Sequence, residues 1–238
     1  MRGGSSAPHI RSDGVIIEQQ AIIAEKGVLY VAYGVKAREQ AQNSMRTLRH
    51  QIRGLPIALV SDTILKDADH YIHHPEEDRG ARTQKTQMYR LSPFRKTLFL
   101  DADTEILSSP VAGFNLLDYV DLVLAQDVNR IFIENKWPYL KQDEVAYTKK
   151  ELGTGHHMYY NSGVIFFRRN EHVEAMMAAW YEEWCRWKMH DQMALLRAIH
   201  RYPVRIAPMR APWNTHHRSG AAFVFHKHRQ ARRDGAPQ

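Results

Sequence analysis

Short apolar runs alternate with amphipathic patterns along most of the chain. The runs "VLYVAYG" at 28–34 and "PIALVSD" at 56–62 are rich in β-branched and aromatic residues, which favours strands. Between them, apolar residues from Val35 to Ile52 recur at helical spacing. Strand and helix patterns in alternation predict an α/β fold built on a central sheet.

The same alternation continues through the second half of the chain. Three further strands are predicted, at the residues that end with Leu100, at "DLVLAQD" (121–127) and at "SGVIFFRR" (162–169). A stripe of Met and Trp beyond residue 171 predicts a long helix with a buried face. "DQMALLRAIH" predicts another helix, for which Asp191 is a suitable N-cap. "VRIAPM" and "AAFVF" supply late strands.

Composition is that of an ordinary globular protein, with 44% hydrophobic and 25% charged residues. We expect one domain at 27–228, between a leader at 1–26 and a basic tail at 229–238. No apolar run approaches the roughly 18–20 residues that span a bilayer, and the polar start of the chain lacks the apolar centre of a secretory signal. A single cysteine, Cys185, fits a reducing compartment. The expectation is a cytoplasmic protein without an integral membrane segment.

The formal net charge is +7, and part of it lies in the terminal segment "HKHRQARRDGAPQ". A basic tail of this kind attracts diphosphates, nucleic acid or anionic lipid. The alternative is a solvated tail without a partner, and charge alone does not choose between them.

Two aspartates directly follow the strand that ends at Leu100, in "TLFLDAD". Like charges one residue apart at the end of a buried strand are costly unless a cation lies between them. Alternation along a strand would send Asp101 and Asp103 to the same side. Hard oxygen ligands suit Mg²⁺ or Mn²⁺, usually shared with substrate phosphates. Two other predicted strands also end in polar groups, at Tyr33-Gly34 and Ser61-Asp62, and ligands of open α/β sheets bind at this edge.

A second group of possible metal ligands lies in the polar segment from 65 to 85, which we predict to be rich in loops. It contains His70, His73 and His74. Without a helical or strand frame, solvated loop histidines are the favoured interpretation over a metal site.

Four later motifs follow in a fixed order: "YYNSGVIFFRRN", "DQMALLRAI", "APWNTHH" and "FVFHKHR". Together with the Asp-x-Asp pair they resemble the nucleotide-sugar glycosyltransferases of GT-A fold, and most of all glycosyltransferase family 8. The resemblance covers roughly residues 28 to 228. It implies a Rossmann-like fold with a single mixed central sheet flanked by helices. It also implies a UDP-sugar donor and transfer with retention of configuration, and it leaves the acceptor open.

The resemblance also implies a metal site. Asp101 and Asp103 look like the pair that holds Mn²⁺ against the donor diphosphate. His226 matches the family's late histidine ligand, and His228 is the rival assignment. Because an imidazole suits Mn²⁺ better than Mg²⁺, manganese is the expected ion, with Mg²⁺ as the alternative.

Further site positions follow from the same resemblance. The implied catalytic residues are Asp191 and Gln192, which match the family's Asp-Gln pair, and Asn161. Trp213-Asn214 looks like structural support for the site. The implied nucleotide-sugar-binding residues are Ala32, Tyr33, Gly34, Asp62, Lys85, Asp101, Ala102, Asp103, Ser162 and Gly163.

The sequence departs from the family after the metal histidine. The usual glycine, lysine, proline and tryptophan are replaced by "KHRQARRD". The cations Lys227, Arg229, Arg232 and Arg233 are candidates to supply the missing charge to the diphosphate.

Two other functions compete with a glycosyltransferase. A nucleotidyltransferase can share the sheet and the metal, but "VAYGVKAREQ" has one glycine where such enzymes often carry a glycine-rich loop. A basic nucleic-acid-binding domain without catalysis fits the charge, but no recognition motif of such modules is present. A glycosyltransferase with an anionic acceptor, such as nucleic acid, is a further possibility.

Overall fold

A central sheet of seven strands forms the framework of the molecule. The computed structural model describes residues 19–75, 81–132, 141–215 and 222–227. The strands of the main sheet, in chain order, are β1 (Ala24–Val31), β2 (Ile57–Ser61), β3 (His70–His73), β4 (Phe94–Leu100), β6 (Leu122–Ile131), β7 (Met158–Arg168) and β8 (Ile206–Met209), while β5 (Thr104–Ile106) pairs elsewhere.

The sheet is mixed, as predicted. Its strand order is β3-β2-β1-β4-β7-β6-β8, and β7 runs antiparallel to both of its neighbours while the other pairs are parallel. The carboxyl ends of β1, β2, β4, β6 and β8 therefore meet at one edge, together with the amino end of β7. The polar groups that follow these strands are gathered at this edge.

Helices cover both faces of the sheet. They are α1 (Gly34–Gln51), α2 (Ala81–Thr86), α3 (Met88–Leu91), α4 (Val111–Leu116), α5 (Gln142–Leu152), α6 (Glu171–Trp187) and α7 (Asp191–Arg201). Side chains of α1 and α4 pack with one set of alternating strand residues, and those of α3, α6 and α7 pack with the other set. Strand alternation thus divides the core into two layers.

The long helix α6 shows how the sequence pattern produces packing. The side chain of Asn170 caps it by accepting a hydrogen bond from the backbone N–H of Val173 at 2.8 Å. Val173, Trp180 and Trp184 are buried along one face. The predicted Met and Trp stripe is therefore core.

A buried carboxylate anchors the edge of the sheet opposite the polar ends. Asp121, next to the start of β6, accepts hydrogen bonds from Arg168, Asn170 and Arg205. Burial disfavours the charged form, but these hydrogen bonds outweigh it and hold the pKa of Asp121 well below its usual range.

A second, two-stranded sheet carries His226 to the first sheet. Its strands are β5 and β9 (Val224–His226), which pair antiparallel with Thr104 opposite His226. Because β5 follows the Asp-x-Asp segment directly, this pairing places the histidine beside the two aspartates.

Several element boundaries differ from the sequence prediction. β7 begins at Met158, so Asn161–Gly163 lie inside the strand. A strand, β3, and a helix, α2, lie in the segment predicted to be rich in loops, and β1 begins at Ala24, before the predicted domain start.

The prediction of Asp191 as an N-cap is wrong. His190 occupies the N-cap position, and Asp191 is the first helical residue. Its carboxylate is turned away from the helix end because it accepts from Ser162 and pairs with Lys85.

Within the described ranges, no helix is both long enough and apolar enough to cross a bilayer. The predicted basic tail at 229–238, His228 and most of the predicted leader lie outside the described residues.

Candidate active site

Two carboxylates and one imidazole converge at the carboxyl end of β4. His226 Nε2 lies 2.9 Å from Asp103 Oδ1 and 3.7 Å from Asp101 Oδ2. One ligand atom from each of Asp101, Asp103 and His226 lies within 4.8 Å of the others. Within the described ranges, this is the one cluster of His, Cys, Asp and Glu with metal-ligand spacing.

The ring of His226 is oriented by two asparagines. Its Nδ1 lies 3.0 Å from Asn214 Oδ1, and Asn214 Nδ2 donates to Asn161 Oδ1, which also accepts from the backbone N–H of Gly163 at 2.7 Å. Since Asn214 uses its NH₂ group toward Asn161, its oxygen faces the histidine, and His226 Nδ1 must donate. Nε2 is therefore the ring nitrogen that faces the two carboxylates, and a hydrogen bond at the other nitrogen is typical of metal-binding histidines.

The charge state of His226 follows from its neighbours. Burial disfavours the imidazolium, but the hydrogen bond to Asp103 and the negative charges of Asp103 and Asp101 outweigh burial and raise the pKa of His226. A proton on Nε2 thus occupies the position that a cation would take.

Gly163 is required for this close approach. A Cβ at this position would lie 2.6 Å from His226 Cε1 and 2.8 Å from Asp101 Oδ2. Any larger residue would separate the histidine from the carboxylate, so the "NSG" segment allows β7 to pass directly beneath the cluster.

A buried ion pair adjoins the metal-ligand cluster. Lys85 Nζ lies 2.9 Å from Asp101 Oδ1 and 3.0 Å from Asp191 Oδ2, and it also lies 3.1 Å from Ser162 Oγ. Ser162 Oγ donates to Asp191 Oδ2 at 2.7 Å. Burial raises the pKa of a carboxyl group, but the charges of Lys85 and Arg82 and the Ser162 hydrogen bond hold the pKa of Asp191 below its usual range.

The pKa of Lys85 is affected in the opposite sense. Burial lowers it, and the charges of Asp101 and Asp191 outweigh burial and raise the pKa above the usual value of a lysine. A charged ammonium therefore lies between the first aspartate of the cluster and Asp191.

Gln192 lies beside this pair and contacts a residue that the sequence analysis did not single out. Its Nε2 donates to Asp127 Oδ2 and to the carbonyl oxygen of Tyr160, each at 3.1 Å. Asp127 ends the predicted strand "DLVLAQD". A carboxylate at a strand end was the signal used for Asp62, and the same signal applied to β6 would have found Asp127.

The residues that the resemblance implies for nucleotide binding lie at the carboxyl ends of β1 and β2. Ser61 Oγ donates to the carbonyl oxygen of Ala32 at 2.6 Å, and Asp62 Oδ1 accepts from Arg38 at 2.8 Å. Tyr33 is only 6% exposed and packs in the core, which favours a structural role for its ring over stacking on a base. Gly34 has a φ of 75°, a conformation that favours glycine at the start of α1.

Other candidates are not brought to the cluster. His73 contacts Tyr71 and His74 contacts the Pro75 carbonyl, and the described histidines at 70, 73 and 74 form no group with metal-ligand spacing. Lys227 Nζ pairs with Glu105 at 3.3 Å. Arg229, Arg232 and Arg233 lie outside the described residues, as does His228.

The donor set fits a divalent cation. Two carboxylate oxygens and an imidazole nitrogen are ligands that divalent cations accept in proteins. Three carboxylates, those of Asp101, Asp103 and Asp191, lie close together at this site. Lys85 and His226 are the positively charged or titratable groups that pair with them.

A family model described as nucleotide-diphospho-sugar transferase matches residues 96–211, which include both aspartates of the cluster and the Asp-Gln pair. No curated protein matches the chain significantly.

Solved structures of glycosyltransferases share the architecture. The bifunctional glycosyltransferase WbbM has a TM-score of 0.60 at 13% identity, over 84% of this chain and 40% of its own length. Mouse xyloside xylosyltransferase 1 has a TM-score of 0.56 at 11% identity, over 86% of this chain and 97% of its own. The galactosyltransferase LgtC, solved with donor and acceptor sugar analogues, has a TM-score of 0.52 at 12% identity, over 84% of this chain and 86% of its own.

Identities this low show a shared fold, and this chain spans less than half the length of WbbM. The matched segment at 96–211 contributes two of the three metal-type ligands and both members of the Asp-Gln pair. This segment is thus similar to a nucleotide-diphospho-sugar transferase domain, and the chain shares the fold of these glycosyltransferase structures.

Proposed function

We propose that the chain is a metal-dependent glycosyltransferase that transfers a sugar from a UDP-sugar to an acceptor, with retention of anomeric configuration. The observation that carries the proposal is the convergence of Asp101, Asp103 and His226 within 4.8 Å, beside the Lys85–Asp191 pair. The family match supports a nucleotide-diphospho-sugar as donor.

Asp101, Asp103 and the Nε2 atom of His226 would hold Mn²⁺. When bound, a divalent cation supplies Lewis-acid neutralisation of the charge on the diphosphate. Asn214 and Asn161 keep Nε2 available by fixing the tautomer of His226.

Lys85 and Asp191 would orient the two halves of the donor. The ammonium of Lys85 provides a positive charge between the metal ligands and the sugar subsite, and therefore suits the diphosphate. The carboxylate of Asp191 stays ionised near neutral pH because its pKa is held low. It can accept hydrogen bonds from sugar hydroxyls, and Ser162 keeps it in place.

In the reaction, the bond between the anomeric carbon and the diphosphate oxygen breaks, and its electron pair leaves with the nucleoside diphosphate. An acceptor hydroxyl oxygen bonds to the same carbon and gives up its proton, for which the departing phosphate oxygen is the adjacent base when configuration is retained. Positive charge that develops on the sugar is stabilised by nearby oxygen dipoles and carboxylates. The resemblance of Asp191-Gln192 to the family's Asp-Gln pair supports transfer with retention of configuration.

The nucleotide would lie over the ends of β1 and β2, along Ala32–Gly34 with Asp62 near the base or ribose. The net charge of +7 permits an anionic acceptor without requiring one.

A screen of nucleotide-sugars with Mn²⁺, read by release of nucleoside diphosphate, tests the proposal. We expect release from a UDP-sugar and a rise in melting temperature with Mn²⁺ and UDP. Asp103→Ala should lower release by at least about 100-fold, because metal assistance contributes several kcal/mol and 1.4 kcal/mol is tenfold. Asp118→Asn is the matched control, since Asp118 is an exposed carboxylate paired with Lys96 at the opposite edge of the sheet.

Turnover by Asp103→Ala equal to that of the wild type would refute the metal role. Release of pyrophosphate from a nucleoside triphosphate and a sugar phosphate would instead identify a nucleotidyltransferase. Binding to DNA or RNA with steep salt dependence and no turnover would favour the nucleic-acid-binding alternative.

A further inference from the structure

The side-chain amide of Gln192 is held in one orientation by two acceptors. Its Nε2 lies 3.1 Å from Asp127 Oδ2 and 3.1 Å from the Tyr160 carbonyl oxygen. A carboxylate and a backbone carbonyl can only accept, so both must face the NH₂ group and not the oxygen. The two N–H bonds are used, and the carbonyl oxygen of Gln192 is directed to the opposite side.

Asp127 is itself held in place. Its Oδ1 accepts from the backbone N–H of Asn129 at 2.9 Å and from Asn129 Nδ2 at 2.8 Å, which leaves Oδ2 to Gln192. Asp127 lies where the register of β6 against β7 shifts, between Gln126 and Ile131, and such irregularities redirect side chains.

Asp127 is buried, and hydrogen bonds satisfy both of its carboxylate oxygens. It is only 6% exposed, and it accepts from Asn129 on one side and from Gln192 on the other. A buried carboxylate is costly unless it is hydrogen-bonded, so Asp127 holds the NH₂ group of Gln192 firmly.

We propose that Asp127 is a positioning residue for sugar transfer, which holds the carbonyl oxygen of Gln192 toward the anomeric carbon of the donor. The inference rests on the proposed function. The negative end of the amide dipole then faces the carbon on which positive charge develops. A rotated amide would present its NH₂ group there and oppose the reaction.

Asp127→Asn tests this role because the new amide can adopt only one favourable orientation. The backbone N–H of Asn129 always donates, so the oxygen at position 127 must stay toward it and the new NH₂ group faces Gln192. Gln192 then meets a donor on one side and the Tyr160 acceptor on the other, and its orientation is lost. With the donor that gives the most release in the screen, we expect kcat to fall about tenfold or more, with KM for the donor and the response to Mn²⁺ within twofold of wild type.

The same substitution in a second variant, Gln192→Glu, shows whether Asp127 acts by orienting residue 192 or only by its negative charge. In Gln192→Glu, the new carboxylate faces Asp127 and is repelled by it. Adding Asp127→Asn converts that repulsion into a hydrogen bond, so kcat of the double variant should exceed that of Gln192→Glu. Asp127→Asn thus lowers kcat in one background and raises it in the other, which a structural role would not do. Asp118→Asn is again the charge-matched control and should have no effect in either background.

Each outcome decides the matter. A kcat for Asp127→Asn within twofold of wild type, or a fall in both backgrounds, overturns the positioning role and leaves the proposed function standing. Absence of release from every nucleotide-sugar by the wild type overturns the proposed function and this inference with it. Should Asp127→Asn fold poorly by itself, comparison of Gln192→Glu with the double variant still gives the answer.

Discussion

Single atoms decide the chemistry of the candidate site, and their orientation is set by neighbours that can only donate or only accept. His226 donates through Nδ1 because Asn214 offers it an oxygen. Gln192 turns its NH₂ group toward the Asp127 carboxylate and the Tyr160 carbonyl because both can only accept hydrogen bonds. Fixed orientation reduces the reorganisation needed when charge develops.

At this scale, we predict that Mn²⁺ binding weakens as pH falls, beginning above pH 6.5. Charged His226 stabilises the metal-free protein below its unfolded pKa of about 6.5, and this contribution is lost as pH rises through the raised folded pKa. Because the metal needs unprotonated Nε2, protons compete with it over this range. The rise in melting temperature on adding Mn²⁺ should grow steadily from pH 6 to pH 8.

His226→Gln is the control, since it cannot be protonated in this range and should show a small rise with Mn²⁺ that does not change with pH. A rise in wild type that is constant from pH 6 to pH 8 would contradict the assignment of His226 as a ligand.

At the residue scale, local sequence was informative where a physical cost was visible. Two like charges, separated by one residue at the end of an apolar run, predicted a cation site, and the structure places Asp101 and Asp103 close to His226. His226 was reached only by resemblance, because nothing local distinguishes it from His228. Asp127 carried the same strand-end signal as Asp62, but its contact with Gln192, 65 residues away, is visible only in the structure.

Among the secondary-structure elements, a buried ion network ties α5, α6 and α7 together. Arg197 donates to Glu183 at 2.7 Å, to Thr148 at 2.6 Å and to Glu144 at 3.1 Å. The side chains of Arg197 and both glutamates are 1% exposed. Since α7 begins with Asp191 and Gln192, this network fixes the helix that carries the Asp-Gln pair.

We predict that Arg197→Met lowers the free energy of unfolding by about 3–5 kcal/mol, because it removes the cation paired with the buried Glu144 and leaves the buried Glu183 with Arg201 alone. Arg95→Met is the control, because Arg95 pairs with Glu25 outside this network. The side chains of Arg95 and Glu25 are 68% and 59% exposed, and the loss there should be about 1 kcal/mol or less. Denaturant unfolding of the two variants measures the difference, and equal losses would show that the network contributes no more than a surface pair.

Element types were predictable from periodicity, and boundaries were less so. The hydrophobic stripe of α6 and the apolar runs of the central strands are local signals, and the structure contains them. The start of α7 was displaced because the carboxylate of Asp191, in place of capping its own helix, bonds Ser162 of a neighbouring strand. A contact between distant segments overrode a local preference.

Across the whole molecule, the candidate site joins two sheets that share no strand pairing. β9 has three residues and pairs with β5, and a short two-stranded sheet is marginally stable alone. His226 at the end of β9 and the aspartates after β4 would be linked by a shared cation.

We therefore predict that Mn²⁺ alone slows amide hydrogen exchange in β9 and in the segment just before β5. The amides of His226 and Lys227, bonded to Thr215 and Asp103, should exchange about tenfold more slowly at ten times the dissociation constant of Mn²⁺. β3, at the far edge of the main sheet, should be unchanged. Equal protection in β3 and β9, or none in β9, would contradict a metal link between the sheets.

The alternation of apolar and polar residues determined by itself that the chain forms an α/β sheet, because burial of periodic faces is a local property of strands and helices. It also determined that two carboxylates would follow a buried strand. Only the tertiary structure decided which groups meet them. Asp103 and His226 are 123 residues apart along the chain, and Lys85 and Asp191, which pair beside Asp101, come from two further segments. Their meeting depends on strand order and on the antiparallel direction of β7, which arise from packing of the whole sheet and not from any local pattern.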